Sequence, residues 1–366
     1  MKYLAVLLIF FLFFFTCCAS DGEEPASQSW EYSVPDDIGD GLNTGYPLDA
    51  GIRFSWLEKM MREQGRGNFS QLHSVLIYRR GKLVFEEYFG GWNRDRLHRI
   101  QSVTKSVVAS IFGAALDREL IGSVDDRVFN YFPQYQIFMN PSNKNLKIED
   151  ILTMRAGFEW DESLPFDADN SIVMMHNAED PLEFVLSRTT VTPPGEEWVY
   201  SGGCTQLLAG ITEQVTGADF ETYARDVFFG PLGVTDFEWV RHKNGMVLCG
   251  GGLNMRPRDL LKIGILYLNK GLWNGTRVLS EKWVSEAVKP RVSVYEKVGL
   301  ESYGYQWWQN AFSGESSRGF FAFGWGGQVI GVFPPLEMVV VFTQGYFAGT
   351  PVTDILLKQY ILPSVM

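Results

Sequence analysis

Apolar residues alternate with polar ones near both ends of the chain, and between these regions they recur at helical spacing. Strands are predicted where short apolar-rich runs are bounded by turn residues, at residues 73–79, 82–89, 303–308, 320–323, 329–333 and 338–343. The first two runs are joined by Arg80-Gly81, which predicts a hairpin.

Helices are predicted where apolar residues recur every three or four positions, at residues 102–116, 147–154, 204–215, 257–268 and 352–360. Segment 102–116 carries small or apolar residues on nearly every face, which indicates a helix that passes through the core. Strands at both ends with helices between them predict one antiparallel sheet built from both termini and a helical inserted lobe. A ligand cleft is expected between the lobes.

The first twenty residues differ from the rest of the chain. A short positive head precedes an unbroken apolar run at 3–15, which is too short for a membrane span of about 20 residues and reads as an export signal. Cys17 and Cys18 follow it, as in a bacterial lipoprotein signal, so membrane attachment through a lipidated Cys17 or Cys18 is expected. Plain cleavage after Ser20 and retention as an anchor remain alternatives. The predicted location is the bacterial cell envelope, the periplasm or the medium.

Residues 21–45 are rich in Asp, Glu, Pro, Ser and Gly, which predicts a flexible tether. The folded domain is then expected at 46–366, with a sheet lobe at about 46–115 and 246–366 and a helical lobe at about 116–245.

Composition narrows the function classes. The 366 residues are 46% hydrophobic and 20% charged, as in a globular protein, and the net charge of −11 argues against a nucleic-acid partner. Four scattered histidines and the absence of C-x-x-C or H-E-x-x-H predict neither a metal site nor a cofactor. Outside the leader the cysteines are Cys204 and Cys249, and whether they pair is left open. The oligomeric state is not predicted.

Candidate chemistry begins at Ser102-x-x-Lys105, at the start of the predicted core helix. A spacing of three places the Lys amine beside the Ser hydroxyl, and an amine whose pKa is depressed could act as its base. The alternative is a helix-start serine and a surface lysine. Because Lys105 lies among apolar residues, we expect a buried, uncharged amine.

Two further motifs could share this site. Tyr200-Ser201-Gly202 precedes a predicted helix, and the phenol could shuttle protons, although a packing tyrosine is the alternative. Gly324-Trp325-Gly326-Gly327-Gln328 interrupts a strand pattern, where substrate could approach the backbone or where a simple turn could lie. The N–H groups of Ser102 and Gln328 could then form an oxyanion hole.

The order of these motifs resembles the serine β-lactamase and penicillin-binding-protein family. It is similar to the class C-like branch, which contains β-lactamases, esterases, D-amino-acid peptidases and 6-aminohexanoate-dimer hydrolases. Residues 148–160 resemble the family stretch ITIRHLLTMTSGL, and residues 251–260 resemble GGLYMTPRDL. The resemblance covers about residues 50–362. It implies an α/β (α+β) fold, in which helices flank an antiparallel five-stranded sheet and one lobe is mostly helical.

By that resemblance Ser102 is the acylated nucleophile, Lys105 its base and Tyr200 the proton shuttle. The implied reaction is hydrolysis of a small-molecule ester, amide or β-lactam-like substrate by an exported enzyme. The substrate-binding residues would be Gly202, Trp325, Gly326 and Gly327.

Two positions depart from the family pattern. Gly202 stands where the family usually has Asn, and Trp325 stands where a Lys or His usually meets the substrate carboxylate. A charge-assisted hydrogen bond of that kind contributes ~1.5–3 kcal/mol, so its loss favours neutral or bulkier esters and amides.

The motifs also bear on other classes of protein. No Gly-x-Ser-x-Gly elbow, Walker loop or Gly-x-Gly-x-x-Gly fingerprint occurs, which excludes an α/β-hydrolase and a nucleotide-binding enzyme. A β-lactamase or D-amino-acid carboxypeptidase acting on β-lactams or peptidoglycan remains an alternative. So does an inactive envelope sensor on the same fold.

Overall fold

The computed structural model describes residues 30–163, 167–312 and 314–366. The predicted leader, with Cys17 and Cys18, lies outside these residues, so export and lipidation stay predictions. Among the helices of the described ranges, none has the length and apolar character that a bilayer span requires.

The main sheet of the described chain has eight antiparallel strands. The strands of the described chain are β1 (Leu72–Arg79), β2 (Lys82–Tyr88), β3 (His98–Arg99), β4 (Phe237–Trp239), β5 (Leu253–Met255), β6 (Leu272–Trp273), β7 (Thr276–Arg277), β8 (Val292–Ser293), β9 (Ser302–Tyr303), β10 (Trp308–Ala311), β11 (Arg318–Gly324), β12 (Gln328–Phe333) and β13 (Met338–Gln344). The α/β class is as predicted, but the strand count of five is wrong. Strands β2, β1, β13, β12 and β11 form a five-stranded core, and the short β10, β9 and β8 extend it beyond β11.

Helices pack around this sheet, and most of the chain between residues 103 and 253 is helical or loop. They are α1 (Phe54–Gly65), α2 (Val103–Asp117), α3 (Ile148–Leu152), α4 (Ser171–Asn177), α5 (Pro181–Leu186), α6 (Gly202–Thr216), α7 (Phe220–Ala224), α8 (Pro257–Leu268), α9 (Glu281–Ala287), α10 (Tyr295–Val298), α11 (Thr353–Ile355) and α12 (Leu362–Ser364). Every residue of α2 from Val103 to Ala115 is buried, which confirms the prediction of a helix through the core. It packs against α6 and against β11, so the two elements that carry the candidate motifs are held together.

The predicted tether is wrong for residues 30–45, because this segment packs along β2. The indole Nε1 of Trp30 donates to Glu87 (2.9 Å), and the Tyr32 hydroxyl donates to the Val84 carbonyl (2.9 Å). Thr44 bridges to Leu83 in the parallel sense. Anchoring aromatics and backbone pairing therefore fix a segment whose composition is typical of a linker.

A buried arginine ties this N-terminal segment to the rest of the fold. Arg258 in α8 donates to both carboxylate oxygens of Glu86 in β2 (2.7 and 2.5 Å), to Asp40 (3.3 Å) and to the Asp36 carbonyl (2.8 Å). The side chains of Arg258 and Glu86 are only 3% and 6% exposed. A buried Glu86 carboxylate that has lost its arginine partner would destabilise the folded state, because its charge would be neither solvated nor paired.

We therefore expect Arg258→Met to lower the free energy of unfolding by about 3–5 kcal/mol, measured by urea denaturation followed through tryptophan fluorescence. Arg256→Met is the matched control, because Arg256 makes a partly exposed ion pair with Asp236. It should cost less than about 1 kcal/mol. Equal losses of unfolding free energy in the two variants would show that the buried Arg258–Glu86 pair stabilises the fold no more than the partly exposed Arg256–Asp236 pair.

Candidate active site

Ser102 stands at the N-terminal end of α2, immediately after a strained residue. Gln101 has a φ of +50°, in the left-handed region that non-glycine residues rarely adopt. Strain of this kind is concentrated at functional sites, where surrounding structure enforces it. Here β3 pairs with β5, and the Ile100 N–H donates to the Leu253 carbonyl (3.0 Å), which fixes the chain just before the turn into the helix.

Lys105 lies one helical turn after Ser102, with its side chain 1% exposed. Its Nζ donates to three acceptors: the Ser102 hydroxyl oxygen (3.1 Å), the Gly250 carbonyl (2.8 Å) and the Glu162 carboxylate (3.4 Å). An ammonium group has three N–H donors, so these acceptors match its full donor set. The alternative of a surface lysine is excluded.

Tyr200 joins this pair from the residue stretch that precedes α6. The Lys105 ammonium lies 4.5 Å from the centre of its ring. Burial raises the pKa of the Tyr200 phenol, and the charge of Lys105 and a hydrogen bond with Ser102 counteract the effect only in part. The distant phenol, the amine and the hydroxyl therefore meet in one place, and the phenol is neutral at rest.

The expectation of an uncharged amine is wrong. Burial favours the neutral form of Lys105, but the Glu162 carboxylate and the hydrogen bond with the Tyr200 hydroxyl outweigh it, and the pKa of Lys105 lies above its usual value. Apolar neighbours along the helix predicted burial correctly. The carboxylate that reverses its effect on the pKa comes from a segment 57 residues away.

Glu162 is the functional-site residue that the sequence motifs did not reveal. One carboxylate oxygen faces Lys105, while the other accepts from the Trp160 indole (2.6 Å) and from the Gly202 backbone N–H. The residue is 14% exposed and lines the cavity described below. The stretch that resembles the family, residues 148–160, ends two positions before Glu162. The one sequence signal for this residue is therefore an acid just beyond that stretch.

A cavity of about 860 Å³ opens onto the Ser102 hydroxyl and the Tyr200 phenol. Besides these two residues its walls are formed by Arg99, Gln101, Glu162, Ser163, Asn170, Ile172, Val173, His176, Asn177, Leu248, Gly250, Gly251, Trp308, Phe323, Gly324, Trp325 and Phe347. One side is largely aromatic, since Trp325 and Phe347 lie with ring centres 4.9 Å apart. Trp325, which is predicted to bind substrate, lies on this wall.

Gly202, by contrast, is not on the cavity wall, so its predicted contact with substrate is corrected. A Cβ at this position would lie 2.1 Å from Cδ1 of Ile172 and 3.1 Å from the Glu162 carboxylate. The space that a side chain would need is therefore already filled. Gly202 serves instead as a backbone donor to Glu162.

The prediction that Gly326 and Gly327 contact substrate also needs correction, and Gln328 follows them at the start of β12. The two glycines, with φ of +80° and +96°, form the turn between β11 and β12 and do not line the cavity. Gln328 is fully buried, and its side-chain amide holds the turn by donating to the carbonyls of Trp325 (3.2 Å) and Gln344 (2.6 Å). Phe323, Gly324 and Trp325 are the hairpin residues on the wall. The backbone N–H of Gln328 stays a prediction as the second oxyanion donor.

The described residues contain no cluster of metal ligands. Within them no three His, Cys, Asp or Glu residues are grouped so as to hold an ion. Cys204 and Cys249 are both buried free thiols, which answers the question of their pairing.

Comparisons with known proteins identify a family and several similar structures. A family model described as Beta-lactamase matches residues 56–354. The chain is 25% identical over 289 residues to a 6-aminohexanoate-dimer hydrolase of Paenarthrobacter ureafaciens, covering 73% of this chain and 71% of that protein. The structure of this chain resembles that of a family VIII carboxylesterase (TM-score 0.69, 16% identity, 86% of this chain and 99% of that one). It also resembles a D-stereospecific amidohydrolase from Streptomyces sp. (TM-score 0.62, 15% identity, 78% and 92%).

Proposed function

The chain belongs to the beta-lactamase family of serine hydrolases, and from that premise we propose that it cleaves ester or amide bonds through an acyl-enzyme on Ser102. One observation carries the proposal: the Ser102 hydroxyl opens onto a cavity while its oxygen lies 3.1 Å from the Lys105 amine. A serine becomes a useful nucleophile only when a neighbouring group takes its proton.

Acylation would begin with attack of Ser102 Oγ on the substrate carbonyl carbon as its proton passes toward Lys105. The backbone N–H of Ser102, at the start of α2, is proposed as one donor to the oxyanion that forms. Collapse of this intermediate breaks the bond to the leaving group. Tyr200 lies beside both Ser102 and Lys105 and is proposed to protonate that group.

Deacylation would run through the same residues in reverse. A water molecule from the cavity attacks the acyl carbon, and the proton that it releases is relayed through Tyr200 and Lys105 to the departing Ser102 oxygen. The hydroxyl of Ser102, the ammonium of Lys105 and the phenol of Tyr200 are then restored. The same residues thus act as acid in one half-reaction and as base in the other.

The walls favour a neutral acyl or alkoxy group. Trp325 replaces the cation that would meet an anionic substrate, and Glu162 places a carboxylate on the cavity wall. The apolar side formed by Trp325 and Phe347 favours uncharged, partly apolar esters. The likeness to a 6-aminohexanoate-dimer hydrolase supports including amides in the proposed substrate class.

We expect short-chain p-nitrophenyl esters to be cleaved with a kcat/KM at least about tenfold above that of a chromogenic cephalosporin. The physical reason is the tryptophan at position 325, because the cephalosporin carboxylate then lacks the cation that the family pattern places there. Initial rates for both substrates on one preparation of the protein measure the ratio.

A β-lactamase or D-amino-acid peptidase is the second candidate, and Arg99 is the observation that favours it. This cation lines the cavity, with its Nε held by the Gly251 carbonyl (3.0 Å). Faster cleavage of the cephalosporin, together with loss of that preference in Arg99→Gln, would overturn the ester preference and support this candidate.

A further inference from the structure

Lys105 cannot accept the Ser102 proton in the state that the structure shows. Its three donors already face Ser102, Gly250 and Glu162, and its pKa is raised, so Nζ carries its full set of protons. The neutral Tyr200 phenol is also protonated. Of the groups that contact Lys105, the Glu162 carboxylate is the one with an open position for a proton.

We propose that Glu162 is the proton acceptor of the resting site, acting on Ser102 through Lys105. Its Oε2 lies 3.4 Å from Lys105 Nζ, and Nζ lies 3.1 Å from Ser102 Oγ, so the three groups form a continuous relay. This inference rests on the proposed acyl-enzyme function and assigns Glu162 a role that the sequence motifs do not contain.

The proton transfers balance over the acylation step. As Ser102 Oγ bonds to the carbonyl carbon, its proton moves to Lys105 Nζ, and Nζ gives one of its own protons to Glu162 Oε2. When the intermediate collapses, the leaving group takes the Tyr200 proton. Tyr200 is refilled from Lys105, and Lys105 recovers its proton from Glu162. The site then returns to the ammonium–carboxylate pair, with no outside acid or base consumed.

Hydrogen bonds from neighbouring residues hold the Glu162 carboxylate in position. Its other oxygen accepts from the Trp160 indole and from the Gly202 N–H, so the carboxylate can turn only one oxygen toward Lys105. Absence of a side chain at Gly202 is what allows this approach, since a Cβ there would crowd both Ile172 and the carboxylate.

Glu162→Gln tests the proposal because glutamine keeps the shape and can accept the same two hydrogen bonds. Without the carboxylate, turnover requires Lys105 to be deprotonated beforehand. The acid limb of kcat/KM for a neutral ester should therefore move to higher pH by about one unit or more. At neutral pH the rate should fall about tenfold or more and recover as pH rises.

Other roles for Glu162 predict a different shift of the acid limb of kcat/KM in Glu162→Gln. If a neutral Lys105 were the direct base and Glu162 only raised its pKa, removing the carboxylate would move the acid limb to lower pH. A purely structural role would lower the rate equally at every pH. Either result overturns the proposal. Glu162→Asp should keep the wild-type acid limb at a reduced rate, because it retains a carboxylate.

Two controls separate this inference from the proposed function. Glu159→Gln removes an acid of the same segment that pairs with Arg188 on the surface, and its profile should match wild type. Labelling with a fluorophosphonate at high pH shows that the Glu162→Gln site is folded. If Ser102→Ala stays active, the acyl-enzyme itself is wrong. If Ser102→Ala is inactive but Glu162→Gln shows no upward shift, only the relay fails.

Discussion

Ser102→Ala is expected to lower kcat/KM for p-nitrophenyl ester hydrolysis by at least about 10⁴-fold and to abolish labelling by a fluorophosphonate. The methyl group cannot bond to the carbonyl carbon, so no covalent intermediate forms. What remains is the rate enhancement that binding and oxyanion donors supply without a nucleophile. Initial rates and gel fluorescence after labelling measure the two effects.

Ser163→Ala is the matched control for this prediction. Ser163 lines the same cavity beside Glu162, and its backbone N–H donates to Asp161 (2.7 Å). We expect its rate to stay within about twofold of wild type, as for a surface substitution outside the machinery. Hydrolysis by Ser102→Ala at the parental rate would remove the basis of the proposed function.

Tyr200→Phe should lower kcat by about 10²–10³-fold, in the range of lost general acid–base catalysis. The phenyl ring keeps its contacts with Trp198 and Trp308, whose ring centres lie 6.0 and 5.5 Å away, so the fold should be preserved. The Ser102–Lys105 pair also remains. Labelling by a fluorophosphonate, which carries its own good leaving group, should therefore persist at a reduced rate.

Tyr303→Phe controls for the aromatic surroundings of Tyr200. Tyr303 is fully buried, packs edge-on against Tyr200 with ring centres 6.4 Å apart, and is not among the residues that line the cavity. Its kcat should change by less than about threefold. A similar loss in both variants would mean that packing, not proton transfer, explains the effect at Tyr200.

The nucleophile and its lysine could be predicted because both lie on one helix. A spacing of three on a helix determines proximity whatever the rest of the fold does, and the apolar residues of segment 102–116 indicated its burial. Tyr200 is different, since nothing local places it beside Lys105. Its role came from the resemblance, and the packing of α6 on α2 provides the physical reason for its position.

The charge state of Lys105 could not be predicted locally. Burial and a carboxylate act on its pKa in opposite directions, and the carboxylate lies on a loop with no recognisable motif. The same limit explains the error at Gly202. Its position in a motif predicts a contact with substrate, whereas a tertiary contact with Glu162 decides what its backbone N–H does.

Fold prediction failed where elements are short or irregular. Strands β8 and β9 have two residues each, too few for an alternating pattern to be distinguished from a loop. The segment at 30–45 has the composition of a linker, yet it is held by individual hydrogen bonds from Trp30 and Tyr32. The class of fold, which depends on the long strands and on α2, was predicted correctly and agrees with the family match.

Mass spectrometry of the acyl-enzyme tests the central claim most directly. The protein is mixed with a slowly released ester or a fluorophosphonate, quenched with acid, digested and mapped. We predict one adduct per chain, on the peptide that contains Ser102, and none in Ser102→Ala. An adduct on another residue of the cavity such as Ser163, or steady hydrolysis with no adduct at Ser102, would contradict the account.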